Sequence, residues 1–254
     1  MNRLNYNPYE YILLKVEQND PSLIKLTLSN SNWASDFNRL GRAIATNSNI
    51  SLLEVYLDAL FITGTGFYDG LKKNKSISEL VIKDGMLMDG TAGMEGVAGS
   101  EILQAYQENS ASLTSLRIMR CNLLQNQGYN IITTTLRRCE NLQCVNLFDC
   151  NIADGQLIPM VEAIRGLSVE QIYLNDNSIG DAGCEALATL VEDPNYNLKI
   201  LQLSGNEITN DGLVCIINSL SSNTRLRGIG VAQNLVDPCL VVDVFPNCCV
   251  TQKV

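Results

Sequence analysis

Apolar residues return along this chain at a fixed set of offsets. In Val169–Ile179 (VEQIYLNDNSI) and Leu198–Ile208 (LKILQLSGNEI) they fall at offsets 0, 3, 5 and 10, with Asn at offset 8. The frame fits eight segments, starting near 23, 52, 77, 113, 142, 169, 198 and 226, at spacings of 29, 25, 36, 29, 27, 29 and 28 residues. Offsets 3 and 5 lie two apart, so both side chains bury on one face of a short strand while offsets 2, 4 and 6 point the other way. Offset 8 requires a small polar side chain that serves backbone groups left unpaired where the chain leaves the strand. Asn177, Asn206 and Asn234 fill it, with Cys121 and Cys150 as small, weakly polar substitutes.

After each strand the period changes from 2 to 3.6. Ala186, Leu187 and Leu190 form the inward stripe of a helix that Asp181 is placed to cap, with Asp154 and Asp211 as the expected equivalents. Gly183 and Gly212, in the first helical turn, are read as letting helix and strand approach closely. A unit of strand, turn and helix cannot bury its apolar face alone. The predicted fold is therefore α/β: a right-handed solenoid of about eight repeats, with a parallel sheet on the concave face and helices on the convex face.

The pattern LxxLxLxxN/CxI followed by (G/N)DxGxxxL, at about 28 residues per unit, resembles the ribonuclease-inhibitor type of leucine-rich repeat over roughly Pro21 to Phe245. The units Val169–Leu220 are similar to the repeat arrays of NOD-like receptors. Ahead of the repeats, Asn7-Pro8 followed by YEYILLKVEQ reads as a capping helix within residues 1–20, ended by Asp20-Pro21. The solenoid is expected over 21–245, with 246–254 as a disordered tail or truncated cap. Met86–Ser100 holds four glycines but no GxxxxGK[ST] or GxGxxG, and reads as a flexible insertion.

Composition sharpens the chemistry. Of 254 residues 35 are Leu and 27 are Asn, which the frame explains as an aliphatic core with a polar turn ladder. Histidine is absent, which removes Ser-His-Asp and Cys-His nucleophiles and imidazole metal ligands. A net charge of -9 argues against nucleic acid, whose binding draws on Lys and Arg. No apolar run reaches the length of a membrane span, and nine scattered cysteines without CxxC spacing fit reduced thiols in an intracellular protein. Cys239, Cys248 and Cys249 lack a fourth ligand, so no metal or cofactor is expected.

Function is expected on the concave face. Offset 4 reads Thr27, Tyr56, Val81, Arg117, Asn146, Tyr173, Gln202 and Gly230; offset 6 reads Ser29, Asp58, Lys83, Met119, Phe148, Asn175, Ser204 and Ala232. Offset 7 adds Arg120, Asp149 and Asp176 at the rim. The partner-binding set is Tyr56, Asp58, Arg117, Met119, Phe148, Asp149, Tyr173, Asn175, Asp176 and Gln202. Arg117, Met119, Phe148 and Tyr173 are expected to form one aromatic and cationic patch of the composition enriched at interfaces. Gly228, Gly230 and Ala232 predict a smooth C-terminal end. The reading is a monomeric, non-catalytic module that binds a protein or peptide, without nucleic acid or membrane. The resemblance also allows a regulator similar to the Ran GTPase-activating protein, or the repeat portion of a larger NOD-like sensor.

Overall fold

The structure, a computed structural model, describes residues 8–29, 36–59, 62, 64–87, 98–123, 125–221, 223 and 225–237. Through them strands and helices alternate: α1 (Pro8–Glu17), β1 (Lys25–Leu28), α2 (Phe37–Thr46), β2 (Leu52–Tyr56), α3 (Gly66–Lys73), β3 (Glu79–Met86), α4 (Ala98–Glu108), β4 (Ser115–Asn122), α5 (Gln125–Arg138), β5 (Cys144–Phe148), α6 (Asp154–Ile164), β6 (Gln171–Tyr173), α7 (Asp181–Glu192), β7 (Ile200–Gln202), α8 (Asn210–Leu220) and β8 (Gly228–Gly230). Most of the Met86–Ser100 insertion, Asn7, the three C-terminal cysteines and the 246–254 tail lie outside the described residues.

The sheet is open and parallel, in the order β1 to β8, so each coil pairs with its sequence neighbours. Its buried face is the offset-3 and offset-5 rows, from Leu26 and Leu28 through Leu116 and Ile118 to Ile229 and Val231. These pack with the helices into one continuous aliphatic core. The layers are those of a leucine-rich repeat solenoid. At the N-terminal end α1 packs on α2: Leu13 and Val16 are buried, and Arg39 of α2 bonds Glu10 at 2.9 Å and Glu17 at 2.6 Å.

The register corrects the second coil. Leu26 pairs with Leu53, and Leu53 with Leu80, so this coil starts at Ile50 rather than Leu52. Both frames put apolar residues at offsets 0, 3, 5 and 10, but the true one seals Ile50, Leu53 and Val55 in the core and places Asp58 at offset 8. Leu57, expected inside, is half-buried in a short 3-10 turn, against a Gly85 whose added Cβ would come within 2.5 Å of its own. A slip of two residues keeps every side chain on its face and moves it one step along the strand.

Each coil completes its neighbour. The offset-8 side chain reaches back to the offset-5 carbonyl of the preceding coil: Asn177 to Leu147 at 2.8 Å, Asn206 to Leu174 at 2.9 Å and Asn234 to Leu203 at 2.9 Å. The thiols of Cys150 and Cys121 reach the Ile118 and Ile82 carbonyls at 3.3 and 3.8 Å. Burial pushes those thiols up, to about 11 and about 12, so they remain protonated donors. An amide also accepts, and the Asn177 oxygen takes the Cys150 and Ile152 N–H groups, both at 3.0 Å. A thiol is a poor acceptor. At Cys121 the turn amides are met by backbone instead: β3 and β4 pair on to Gly85–Cys121 and Met86–Asn122, and the Leu87 N–H bonds the Asn122 carbonyl at 3.0 Å.

A second asparagine ladder, missed in the sequence, closes the opposite ends of the coils. Asn47 and Asn74 end α2 and α3, and their oxygens accept the backbone N–H groups that open the next coil, at Asn49 and Ile50 and at Ser76 and Ile77. The Asn74 amide donates back to Ile44 and Asn47, and Asn109 donates to Leu71 and Asn74. Asn223 repeats the motif at Arg225 and Leu226. The readable signal was Asn three residues ahead of an apolar frame start.

The helix starts also depart from expectation. Asp181 is the first residue of α7 and caps the following helix instead of its own, accepting the Thr209 N–H at 2.9 Å and the Thr209 hydroxyl at 2.7 Å. Asp154 likewise takes the Gly180 N–H at 2.8 Å. The equivalent in α8 is Asn210, which accepts from Asp237 at 2.8 Å, and not Asp211. Gly183 and Gly212 make room for these carboxylates: a Cβ on Gly183 would lie 2.6 Å from the Asp154 Oδ1, and one on Gly212 would collide with Asp181.

Leu203→Ala, at a fully buried offset-5 site, is expected to cost about 2–5 kcal/mol in urea unfolding, with amide-exchange protection lost mainly in the adjoining coils. Asn206→Ala strands the Leu174 carbonyl and the Ile179 N–H and should cost roughly 1–3 kcal/mol for each group left unmet, with Asn206→Cys recovering part of that loss.

Candidate functional site

The sheet face turned away from the helices is the surface no core requirement shapes. The register lines up three rows on it: Lys25, Leu52, Glu79, Ser115, Cys144, Gln171, Ile200 and Gly228; Thr27, Glu54, Val81, Arg117, Asn146, Tyr173, Gln202 and Gly230; and Tyr56, Lys83, Met119 and Phe148. The shift in the second coil therefore moves Tyr56 from the middle row to the third, beside Lys83, and Asp58 off the face into the turn, where it is exposed. Glu54 takes the middle position.

Glu54 organises the N-terminal half of the face. Its side chain is 8% exposed and receives Lys83 at 2.6 Å and Lys25 at 2.7 Å, with Thr27 at 3.3 Å and the Tyr56 hydroxyl at 3.4 Å. Lys83 also sits 5.2 Å from the centre of the Tyr56 ring. Burial alone would raise the Glu54 pKa, but the two ammonium groups outweigh it and bring the carboxyl down to about 2. Sequence reasoning missed this cluster because the slipped frame placed Glu54 one step along the strand.

The central patch is less uniform than expected. Met119 and Phe148 are cross-strand partners, but Arg117 and Tyr173 stand on either side of Asn146. Arg117 is not a free cation: its guanidinium lies 3.4 Å from Glu79. Tyr173 donates its hydroxyl to Gln171 at 3.1 Å. Asn175 uses its oxygen to take the Ser204 N–H at 2.9 Å. Gln202 lies over Gly230, leaving no room for a Cβ there, so the glycine is buried under an amide instead of forming a smooth floor. The Ser115 hydroxyl, buried at the base of β4, has no hydrogen-bond partner among the described residues.

Along the edge where the strands end, the offset-7 residues adopt the left-handed region: Asp84, Arg120, Asp149, Asp176 and Gln233 with φ between 51° and 58°, and Gly205 at 70°. Asp, Asn and Gly tolerate that conformation best, so the acidic rim follows partly from backbone shape. Arg120 grips Asp84 through two nitrogens at 2.5 and 2.9 Å. Asp149 and Asp176 are exposed and form no ion pair among the described residues. No group of three or more metal-ligating side chains occurs among the described residues.

Parts of the chain are similar to known repeat proteins. The family described as Leucine Rich repeat matches residues 168–188 and 195–216. The chain is 23% identical to mouse "NACHT, LRR and PYD domains-containing protein 14" over 221 residues, covering 83% of this chain and 21% of that protein. It is 32% identical to mouse ribonuclease inhibitor over 120 residues, covering 46% of this chain and 26% of the inhibitor. The chain thus spans about a quarter or less of the length of these relatives. Among solved structures, an internalin from Listeria monocytogenes superposes with a TM-score of 0.42 at 17% identity, covering 74% of this chain and 49% of the internalin. No helix among the described residues is long and apolar enough to cross a membrane.

Because Glu54 is held charged well below its ordinary value of 4.5, the stability it supplies is complete above about pH 4.5 and drains away as the pH falls towards 2. Glu54→Gln should lower stability at pH 7 by about 1.5–3 kcal/mol and flatten that acid limb, the two proteins converging near pH 2 in urea titrations.

Proposed function

We infer that this chain is a non-catalytic scaffold for protein–protein interaction, since stacked repeat coils build extended binding surfaces. We propose that this chain binds a protein or peptide on the open sheet face, centred on β4 to β7. The observation that carries the reading is the Met119–Phe148 pair with Tyr173 one strand further on: large side chains, half-exposed on the sheet, left uncovered by the described residues. Aromatic and Met side chains of this kind anchor interfaces, and polar Asn146, Asn175 and Gln202 around them supply orienting hydrogen bonds. Arg117 contributes through its planar guanidinium and aliphatic stem while remaining paired with Glu79. Asp149 and Asp176 bound the patch along the strand-end edge.

The test is capture with the whole chain as bait, followed by mass spectrometry and binding of the recovered partner. Phe148→Ala/Tyr173→Ala and Arg117→Ala/Tyr173→Ala should each weaken it at least tenfold, about 1.4 kcal/mol, while Val214→Ala on the opposite layer leaves it unchanged. Equal recovery by all variants would remove the sheet face from consideration.

A further inference from the structure

The negative charge of this protein is confined to one half of the array. Residues 1–138 carry 13 Lys and Arg against 13 Asp and Glu, whereas 139–237 carry 4 against 13. Two of those four cations are spent on local pairs, Arg165 with Glu162 and Lys199 with Glu170, and Arg225 is turned onto the Pro194 carbonyl. The acids are also not spread evenly. On the strand-end edge of coils five to seven, between the end of each strand and the first turn of its helix, Asp149, Asp154, Asp176, Asp181, Glu207 and Asp211 occur with no Lys or Arg among them. Asp154 and Asp181 are committed to capping the next helix. Asp149, Asp176, Glu207 and Asp211 are exposed and form no ion pair among the described residues.

The sheet face beside this ledge changes character at the same point. From β1 to β4 it carries Lys25, Glu54, Glu79, Lys83 and Arg117, all engaged with one another. From β5 to β8 its rows contain no charged side chain: the floor is Cys144, Asn146, Phe148, Tyr173, Ile200 and small or amide residues. A neutral aromatic floor bordered on one side by unpaired carboxylates complements a partner with an uncharged face and a basic edge. Asp149 and Asp176 hold the same offset on adjacent coils, while in the next coil that offset is Gly205 and Glu207 lies two residues further along the turn. Neighbouring coils are about 5 Å apart at the strands and about 10 Å apart at the helices, so Asp149 and Asp176, on the turn between, stand at an intermediate spacing. An extended chain presents its same-side residues about 6.7 Å apart.

We propose that the C-terminal half of the open sheet face receives an extended peptide segment with Lys or Arg at alternate positions, running across β5 to β7 with its basic side chains on the Asp149–Asp176–Glu207 ledge and its other side on Phe148 and Tyr173. This rests on the sheet-face reading above and adds to it the chemistry and direction of the ligand. Clustered carboxylates at the edge of a neutral floor also draw such a segment in by long-range attraction, which salt screens.

The experiment measures fluorescence anisotropy of a labelled peptide of about twelve residues alternating Lys and Thr, long enough at about 3.3 Å per residue to cross the coils, against the same peptide with Glu for Lys. Saturable binding of the Lys peptide to the full chain is expected, weakening with added salt, at least tenfold weaker for Asp149→Asn/Asp176→Asn/Glu207→Gln, and weakened by Phe148→Ala/Tyr173→Ala. Equal binding by the triple variant, equal binding of the Glu peptide, or no saturable binding would each overturn the proposal. Should the Lys peptide fail while Phe148→Ala/Tyr173→Ala still loses its captured protein, the basic segment falls and the sheet-face reading stands.

Discussion

No coil of this protein satisfies its own backbone. A strand of three to eight residues joined to its helix by a tight turn leaves buried carbonyls and N–H groups at both ends of the coil. The solution is exchange between neighbours. Asn177 supplies an acceptor to the turn of the coil before it, while Asp154 in that earlier coil supplies an acceptor to the helix start of the next. The aliphatic core provides most of the driving force, but these exchanges decide that coils stack in one register, because a buried group left unmet is costly.

That division of labour frees the outward rows of the sheet. Their side chains are chosen neither by the core nor by the ladders, and the face has two contrasting halves. In the first, Glu54 draws Lys25, Lys83 and Tyr56 into a closed network whose charges answer one another. In the second, amides and aromatics stand without charge beside a run of unanswered carboxylates. A surface that has satisfied itself offers little to a partner, and one that has not is where association gains most.

The repeat frame was legible because it is redundant: eight near-copies of one pattern outvote local ambiguity, and the parallel strand order follows from it. Where one copy stood alone, the pattern misled. Leu52, Val55 and Leu57 imitate the frame as well as Ile50, Leu53 and Val55 do, and the register decides between them. The helix-capping role of Asp181 was visible as a residue type but not as a direction, since a sequence does not say which of two helix starts a carboxylate faces. Arg117 looked unpaired for the same reason: Glu79 lies 38 positions away and meets it only across the pleat. Local chemistry is written in neighbouring letters, whereas cross-coil chemistry needs the register first.

The Asp154-to-Gly180 and Asp181-to-Thr209 bonds give the array an arrow. In each the acceptor lies earlier in the chain and the donor later. During synthesis, then, the starts of α7 and α8 each emerge facing a carboxylate that is already seated, so in this stretch the finished coil serves as a template for the next.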